Sequence, residues 1–199
     1  MIDAVTDSDH SSWIQSVNAI VRGDSLNFRA IRIGPTPLVL QEFGLASTHL
    51  VMSSGKIATA RREHPEVALS IWHRLPTLLG DPLAIFPSAR SDGSIIIVLV
   101  VRDSDGSPVI VPIQPGLDGA PNVVLSVYGK AAGMAWVEAQ LRQSRANGVS
   151  VFKKKGSADS VPKPGSAEAI PSSPGPIPAD GSTEPRRGIL TLGKNSTKI

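Results

Sequence analysis

The clearest pattern of hydrophobic and polar positions lies between Ser94 and Lys130. Residues Ile95 to Val101 form an unbroken apolar run of β-branched residues and one Leu. A strand without polar alternation is usually covered on both of its faces. The run therefore predicts the central strand of a sheet.

Turn residues and two further apolar segments follow this run. Asp103 to Gly106 reads as a hairpin loop, in which Gly106 supplies the positive φ that such loops commonly need. Val109 to Ile113 is expected to return antiparallel. Pro112 cannot donate to a ladder, so this strand ends there or has one side unpaired. Val123 to Tyr128 is the third strand of the predicted antiparallel meander.

Four stretches are predicted as helices from their apolar spacing and capping residues: Ser12–Val21, Pro37–Phe43, Glu66–Leu75 and Ala131–Ala146. Ser12 and Thr36 are the expected N-caps of the first two, and Pro76 is expected to end the third. Short strands are predicted at Phe28–Ile33, His49–Met52, Leu83–Phe86 and Val149–Phe152. The predicted fold class is α+β, with a central antiparallel β-meander packed by helices.

The composition changes after Phe152. No aromatic residue follows, and seven prolines lie between Pro162 and Pro185 among Ser, Gly and Ala. Such a segment cannot bury enough apolar area to offset the entropy of ordering it. We therefore expect a disordered Pro/Gly/Ser-rich C-terminal tail. The predicted organisation is an N-terminal helical lead (1–26), an α+β domain (27–152) and a basic tail (153–199).

Composition and charge exclude several kinds of function. The 199-residue chain has no Cys, which excludes disulfides, thiolate metal sites and a Cys nucleophile. Residues 1–152 hold 12 Lys/Arg and 13 Asp/Glu, whereas residues 153–199 hold 8 and 4. The domain therefore lacks the excess charge of a tight nucleic-acid binder. No apolar run reaches the ~20 residues of a membrane span, so no membrane partner is expected.

Among the four histidines, His64 is the candidate for acid–base chemistry. It precedes Pro65 and is expected at the N-terminus of the helix that follows, where the helix dipole favours a neutral imidazole. A simple capping role is the alternative. No two histidines have the spacing of a zinc site, so we expect neither a metal nor another cofactor.

The end of the third strand offers groups that could hold a phosphate. RNA cleavage by internal transesterification needs a base, an acid and donors to the charged phosphorane. Ser126 and Tyr128 are two apart and share a face of the predicted strand, and Lys130 adds a positive charge. Ser88 and Arg90 could contribute a hydroxyl and a guanidinium. The alternative is an ordinary strand end and a plain loop.

Short motifs occur in a characteristic order: Ile33-Gly-Pro-Thr-Pro37, Phe43-Gly-Leu45, Glu63-His-Pro65, Leu75-Pro76, Asp81–Ser88 and Asn122–Lys130. With this order and spacing, the chain resembles the phage MuF C-terminal domain family over roughly Phe28 to Phe152. The resemblance implies the fold of the barnase/EndoU/colicin/RelE-like group of small metal-independent ribonucleases. It nominates His64, Ser88, Ser126 and Tyr128 as site positions without fixing their roles.

The favoured hypothesis is a ribonuclease toxin domain of phage or mobile-element type. Its expected partners are an RNA substrate, an immunity or antitoxin protein, and phage head or portal proteins. It would act in the cytoplasm of the bacterial host or target cell, or travel with the virion. A non-catalytic packaging or interaction module with a basic tail is the alternative. An ADP-ribosyltransferase-like toxin is a third reading, disfavoured because no Glu-x-Glu pair is present.

The change in composition after Phe152 predicts where the chain is open to proteases. A chain that ends at Lys155 should keep its fold, because the apolar residues that make the core precede this point. Limited proteolysis of the whole chain should cut first between Gly156 and Gly188, as mass spectrometry of the fragments would reveal. Protection of that entire segment would show that the boundary is misplaced.

Overall fold

The computed structural model describes residues 6–24, 29–89 and 93–155, which belong to one unit of the chain. The predicted tail beyond Lys155 and the candidate Arg90 lie outside the described residues. The elements follow in this order: α1 (Asp7–Val21), β1 (Ala30–Pro35), α2 (Leu38–Gln41), β2 (His49–Ser53), α3 (Ser54–Glu63), α4 (Leu69–His73), α5 (Leu75–Leu78), β3 (Ala84–Pro87), β4 (Ile95–Arg102), β5 (Pro108–Gln114), β6 (Asn122–Val124), β7 (Tyr128–Gly129), α6 (Gly133–Ala146) and β8 (Phe152–Lys153).

All eight described strands belong to one sheet. Its order is β1-β2-β6-β5-β4-β3-β8, with β7 also paired to β5. Neighbouring strands are antiparallel except β2 and β6, which run parallel. The predicted α+β class and the meander β4-β5-β6 are confirmed. The hairpin between β4 and β5 turns at Gly106, which has the expected positive φ of 78°.

Strand β4 has the predicted central position, between β3 and β5. Ile95, Ile97 and Leu99 point into a large cluster of buried side chains on one face of the sheet. Ile96 and Val98 point into a smaller cluster on the other face. Both sets are almost completely buried. The unbroken apolar run therefore reflects a strand with two covered faces.

Helices cover the two faces of the sheet unequally. Helices α1, α3, α4 and α5 contribute to the large cluster, where Trp13 and Trp72 are fully buried and the Trp13 indole donates to the Trp72 carbonyl at 2.6 Å. On the other face, α6 packs on β3, β4 and β5 through Val137 and Leu141. This arrangement leaves room for a cleft beside α6.

Pro112 lies within β5 and does not end the strand. Its carbonyl accepts from the Leu125 N–H at 2.9 Å, on the edge that faces β6 and β7. In an antiparallel pair, one residue's N–H and C=O point to the same neighbour, so the N–H that proline lacks would also point to this edge. Both predicted alternatives are therefore wrong: β5 continues past Pro112 and is paired on both sides, and only the single N–H of this residue is missing from the ladder.

A β-bulge forms opposite the position at which Pro112 lacks an N–H. Ile113 pairs with Val124, and Ile110 pairs with Tyr128, so three residues of one strand (125–127) oppose two of β5. A bulge shifts the alternation of side chains by one position. The predicted continuous strand from Val123 to Tyr128 is therefore wrong, and Ser126 and Tyr128 do not share a face through simple alternation.

Two expected N-caps are wrong. Helix α1 begins earlier than predicted, and the Thr6 hydroxyl caps it by accepting from the Asp9 N–H at 3.1 Å, so Ser12 lies inside the helix. Pro37 occupies the N-cap position of α2. The hydroxyl of Thr36 instead accepts a hydrogen bond from the Asn122 side chain, across a distance of 86 positions in the sequence.

The predicted helix over Glu66–Leu75 is also different. The chain is helical over α4 and again over α5, and Pro76 lies in the first turn of α5, where a missing N–H costs nothing. Four residues of its predicted apolar stripe, Val67, Ile71, Trp72 and Leu75, are nevertheless buried, whereas the fifth, Ala68, is exposed. The core residues of this segment were thus mostly identified although the backbone path was not.

Asn122 connects three loops and is completely buried. Its Oδ1 accepts from the N–H groups of Ala46 (3.2 Å) and Gly116 (2.9 Å). Its Nδ2 donates to Thr36 Oγ1 (2.8 Å) and to the Ala46 carbonyl (2.9 Å). All four hydrogen-bonding positions of the amide are thus used, at the point where the parallel strands β2 and β6 begin to pair.

Replacing Asn122 with Ala should lower the free energy of unfolding by at least about 3 kcal/mol, because several buried polar groups lose their partner at about 1–3 kcal/mol each. Chemical denaturation would measure this. Asn147→Ala is the matched control, since Asn147 is exposed at the end of α6, and it should change stability by less than about 0.5 kcal/mol. Equal effects of the two substitutions would contradict a role of Asn122 as a structural joint.

Candidate functional site

His64 lies at the end of a helix and not at the start of one. Its N–H donates to the Ala60 carbonyl at 2.8 Å, which makes it the C-cap of α3. Pro65 then turns the chain, and α4 begins only at Leu69. The predicted N-terminal position is wrong, and the argument from the helix dipole is reversed, because the carbonyl end of a helix carries the partial negative charge.

A carboxylate orients the His64 ring. Nδ1 of His64 lies 3.1 Å from Oε1 of Glu66. An ionised carboxylate can only accept, so Nδ1 carries the shared proton and Nε2 is the acceptor of the neutral ring. Glu63, which directly precedes His64 in the sequence, is instead exposed beside Arg62.

The position of Glu66 is fixed by the hairpin between β4 and β5. The Glu66 carbonyl accepts from the Ser104 N–H at 3.0 Å. In the same hairpin, the Asp103 carboxylate accepts from the N–H groups of Asp105 (3.0 Å) and Ser107 (2.7 Å). The segment that carries His64 is therefore tied to the tip of the central meander.

Tyr128 brings the third strand to His64. The two rings are stacked, with centroids 5.3 Å apart and an interplanar angle of 29°. The next residue must be glycine, because a Cβ at Gly129 would overlap the Asp103 carboxylate. This close approach packs β7 against the hairpin and holds Tyr128 beside His64.

A cleft of about 330 Å³ lies between the sheet and α6. Its walls combine apolar side chains (Phe86, Ala89, Ile96, Pro112, Leu125, Trp136) with polar ones (Ser88, Tyr128, Lys130, Gln140). The Lys130 ammonium lies over the Trp136 ring, 4.6 Å from its centroid. The cleft thus places one cation among aromatic surfaces, where a cation is partly shielded from water.

The structure brings together most of the described candidates. Ser88, Tyr128 and Lys130 line the cleft. His64 is not among the lining residues, but its ring stacks on that of Tyr128. Ser126 lies in the bulge and is not among the lining residues. Arg90 cannot be assigned, because it lies outside the described residues.

Sequence reasoning missed three residues of this site. Glu66 follows His64 by two positions across a proline, a spacing that alone does not indicate contact. Trp136 and Gln140 both line the cleft and are four apart on α6, so they share one face of that helix. That spacing was the signal available for them.

Within residues 6–24, 29–89 and 93–155, no three or more His, Asp or Glu side chains are grouped so that they could hold a metal ion. None of the helices in the same ranges has the length and apolar character needed to cross a membrane.

Comparison with known proteins identifies the family. The model of the phage MuF-C-terminal domain matches residues 56–158, more than half of the chain, and the chain therefore belongs to this family. The resemblance to this family is confirmed, but the match begins at residue 56 and not near Phe28, so the motifs at Ile33–Pro37 and Phe43–Leu45 lie outside it. The match begins in α3, so it includes His64, Glu66 and all the residues that line the cleft. No curated protein and no solved structure matches the chain.

The contact between His64 and Glu66 predicts the tautomer of the histidine. In the neutral ring, the proton should lie on Nδ1, and ¹⁵N chemical shifts of the ring would show it. Glu66→Met removes the acceptor and should shift the population towards the Nε2-protonated form. Glu63→Met is the control for loss of a nearby carboxylate and should leave the spectrum of His64 unchanged. An unaltered tautomer in Glu66→Met would mean that the contact does not orient the ring.

Proposed function

We propose that this member of the phage MuF C-terminal domain family is a metal-independent ribonuclease that cleaves RNA by internal transesterification. The observation that best supports the proposal is the stack of His64 on Tyr128, beside a cleft that holds the Lys130 ammonium. In this proposal one phosphodiester contacts a base, a hydroxyl and a cation, which is the set that this chemistry needs.

His64 is the proposed general base. Its Nδ1 is held by Glu66, so Nε2 accepts the proton from the ribose 2′-hydroxyl. The 2′-oxygen then attacks the adjacent phosphorus. A carboxylate behind a histidine fixes the ring orientation and stabilises the imidazolium that forms. This is the role we assign to Glu66.

Lys130, Tyr128 and Ser88 are the proposed partners of the phosphate. The Lys130 ammonium and the Ser88 hydroxyl stabilise the extra negative charge of the phosphorane. The Tyr128 hydroxyl gives its proton to the 5′-oxygen as the P–O5′ bond breaks. The products are a 2′,3′-cyclic phosphate and a 5′-hydroxyl. Exchange with solvent then removes the proton that His64 accepted and returns one to Tyr128. Ser126 has no role in this scheme.

The charge of the domain suits transient binding of the substrate. Residues 1–152 are close to neutral, so affinity would come from a local contact with phosphate and not from a broad basic surface. An immunity protein and association with phage heads are further proposals that rest on the family. The cytoplasm of the host or target cell is the place where this activity would meet its RNA.

The test compares His64→Ala and Tyr128→Phe on two substrates in the presence of EDTA. With natural RNA, both variants should be slower than the parent protein, His64→Ala by roughly 10²- to 10⁴-fold, the usual value of a general acid or base. With a uridine 3′-(4-nitrophenyl) phosphate, whose leaving group needs no proton, Tyr128→Phe should recover and His64→Ala should not.

His49→Ala is the control for loss of a histidine, because His49 begins β2 and does not line the cleft. It should keep parental turnover. Melting temperatures of all variants separate chemistry from folding. Activity that disappears in EDTA and returns with Mg²⁺ would overturn the scheme. RNA that binds but is never cleaved by the parent protein would favour the non-catalytic packaging module.

A further inference from the structure

Trp136 differs from the other two tryptophans of the chain. Trp13 and Trp72 are completely buried in the large cluster, whereas Trp136 is only half-buried and lines the cleft. Phe86 holds the indole by an edge-to-face contact, with centroids 5.7 Å apart. The cleft therefore contains a large aromatic surface in a fixed orientation, and the proposed reaction makes no use of it.

The surroundings of Trp136 match the requirements of a nucleobase. Leu125 and Pro112 add apolar surface to the cleft, and the Gln140 amide provides both a donor and an acceptor one helical turn beyond Trp136. Unpaired bases are recognised in this way, by stacking on aromatic side chains and by hydrogen bonds to their polar edges.

The size and charge of the cleft further restrict the kinds of ligand that it could bind. A volume of about 330 Å³ is at the lower end of the range for small-molecule sites, roughly 300–1,000 Å³, and suits one base better than several. The Lys130 ammonium, 4.6 Å from the Trp136 centroid, would bind a phosphate immediately next to that base. In the absence of ligand, the ammonium interacts with the indole instead.

We infer that the cleft between the sheet and α6 is a subsite for one unpaired nucleobase, which stacks on Trp136, presents its polar edge to Gln140 and carries a phosphate to Lys130. This inference rests on the proposed function, since the same phosphate is the one on which His64 and Tyr128 would act. It adds that the substrate is single-stranded and that one base beside the cleavage point is selected.

The experiment uses ligands that cannot be cleaved. Short 2′-O-methyl RNA oligomers of A, C, G or U are compared with an abasic oligomer that has the same number of phosphates. Quenching of tryptophan fluorescence measures binding and reports on Trp136, because the other two tryptophans are buried. Oligomers with bases should bind at least about 5-fold more tightly than the abasic one, from the usual strength of stacking.

Substitutions of Trp136 and Gln140 test which side chains contact the base. Trp136→Leu, followed by competition with a labelled oligomer, should weaken binding of the base-containing oligomers by roughly 5- to 150-fold and leave the abasic oligomer unchanged. Trp136→Phe keeps an aromatic ring and should lose less affinity, which covers the case in which Trp136→Leu does not fold. Gln140→Leu should alter the preference among the four sequences. Its control is Gln143→Leu, on the exposed side of the same helix, which should not.

The outcomes separate this inference from the proposed activity. Equal affinity for the abasic and base-containing oligomers, or no effect of either Trp136 variant, would overturn the subsite even if RNA is cleaved. Preferential binding of bases without cleavage of natural RNA would support the subsite and overturn the ribonuclease. Free mononucleotides form the last arm. If they bind more tightly than the oligomers, the ligand is a small nucleotide, and the assignment to an RNA strand is overturned.

Discussion

The geometry of the candidate site depends on one missing backbone donor, the N–H that Pro112 lacks. Without an N–H, this residue leaves a gap in the ladder of a strand that is otherwise paired on both sides. The chain opposite accommodates the gap by a bulge of one residue, so that Val124 and Val127 both point into the large cluster while Leu125 and Tyr128 line the cleft. With an unbroken ladder, Tyr128 would alternate to the same face as Val124.

The other parts of the site are held by similarly local causes. Helix α3 ends at His64, Pro65 turns the chain, and the hairpin tip holds Glu66. Gly129 lets β7 approach the Asp103 carboxylate. These contacts join segments from α3, the meander and α6 around one cleft. The match to the phage MuF-C-terminal domain, residues 56–158, includes His64, the meander and α6.

The parts of the fold that follow from burial could be predicted from the sequence. Strand β4 is apolar on both faces because each face meets a different cluster. Val67, Ile71, Trp72 and Leu75 are buried although their backbone is not one helix. Features that depend on hydrogen bonds between distant segments could not be predicted. Thr36 has the sequence context of an N-cap, yet its hydroxyl accepts a hydrogen bond from Asn122.

The candidate site, like the fold, could be predicted from the sequence only in part. His64, Tyr128 and Lys130 were identified from residue type and from the family motifs, and they do meet at the cleft or beside it. Helix α3 was not predicted, because only Ser54, Ile57 and Ala60 among its residues are buried and no clear stripe results. His64 was consequently assigned to the wrong helix end, and the bulge that removes Ser126 from the cleft left no signal in the alternation of residues.

The buried hydrogen bonds of Asn122 have a consequence for the order of folding. Strands β1 and β2 pair with each other, and β4, β5 and β6 form a meander, so both units are built from contacts that are close in the chain. Asn122 connects them through residues 76 and 86 positions away, and contacts of such separation form slowly because a long loop must close first. The β1–β2 pair and the β4–β5–β6 meander should therefore form early and pack together late. The hydrogen bonds of Asn122 would then be the first contacts of the native sheet to open.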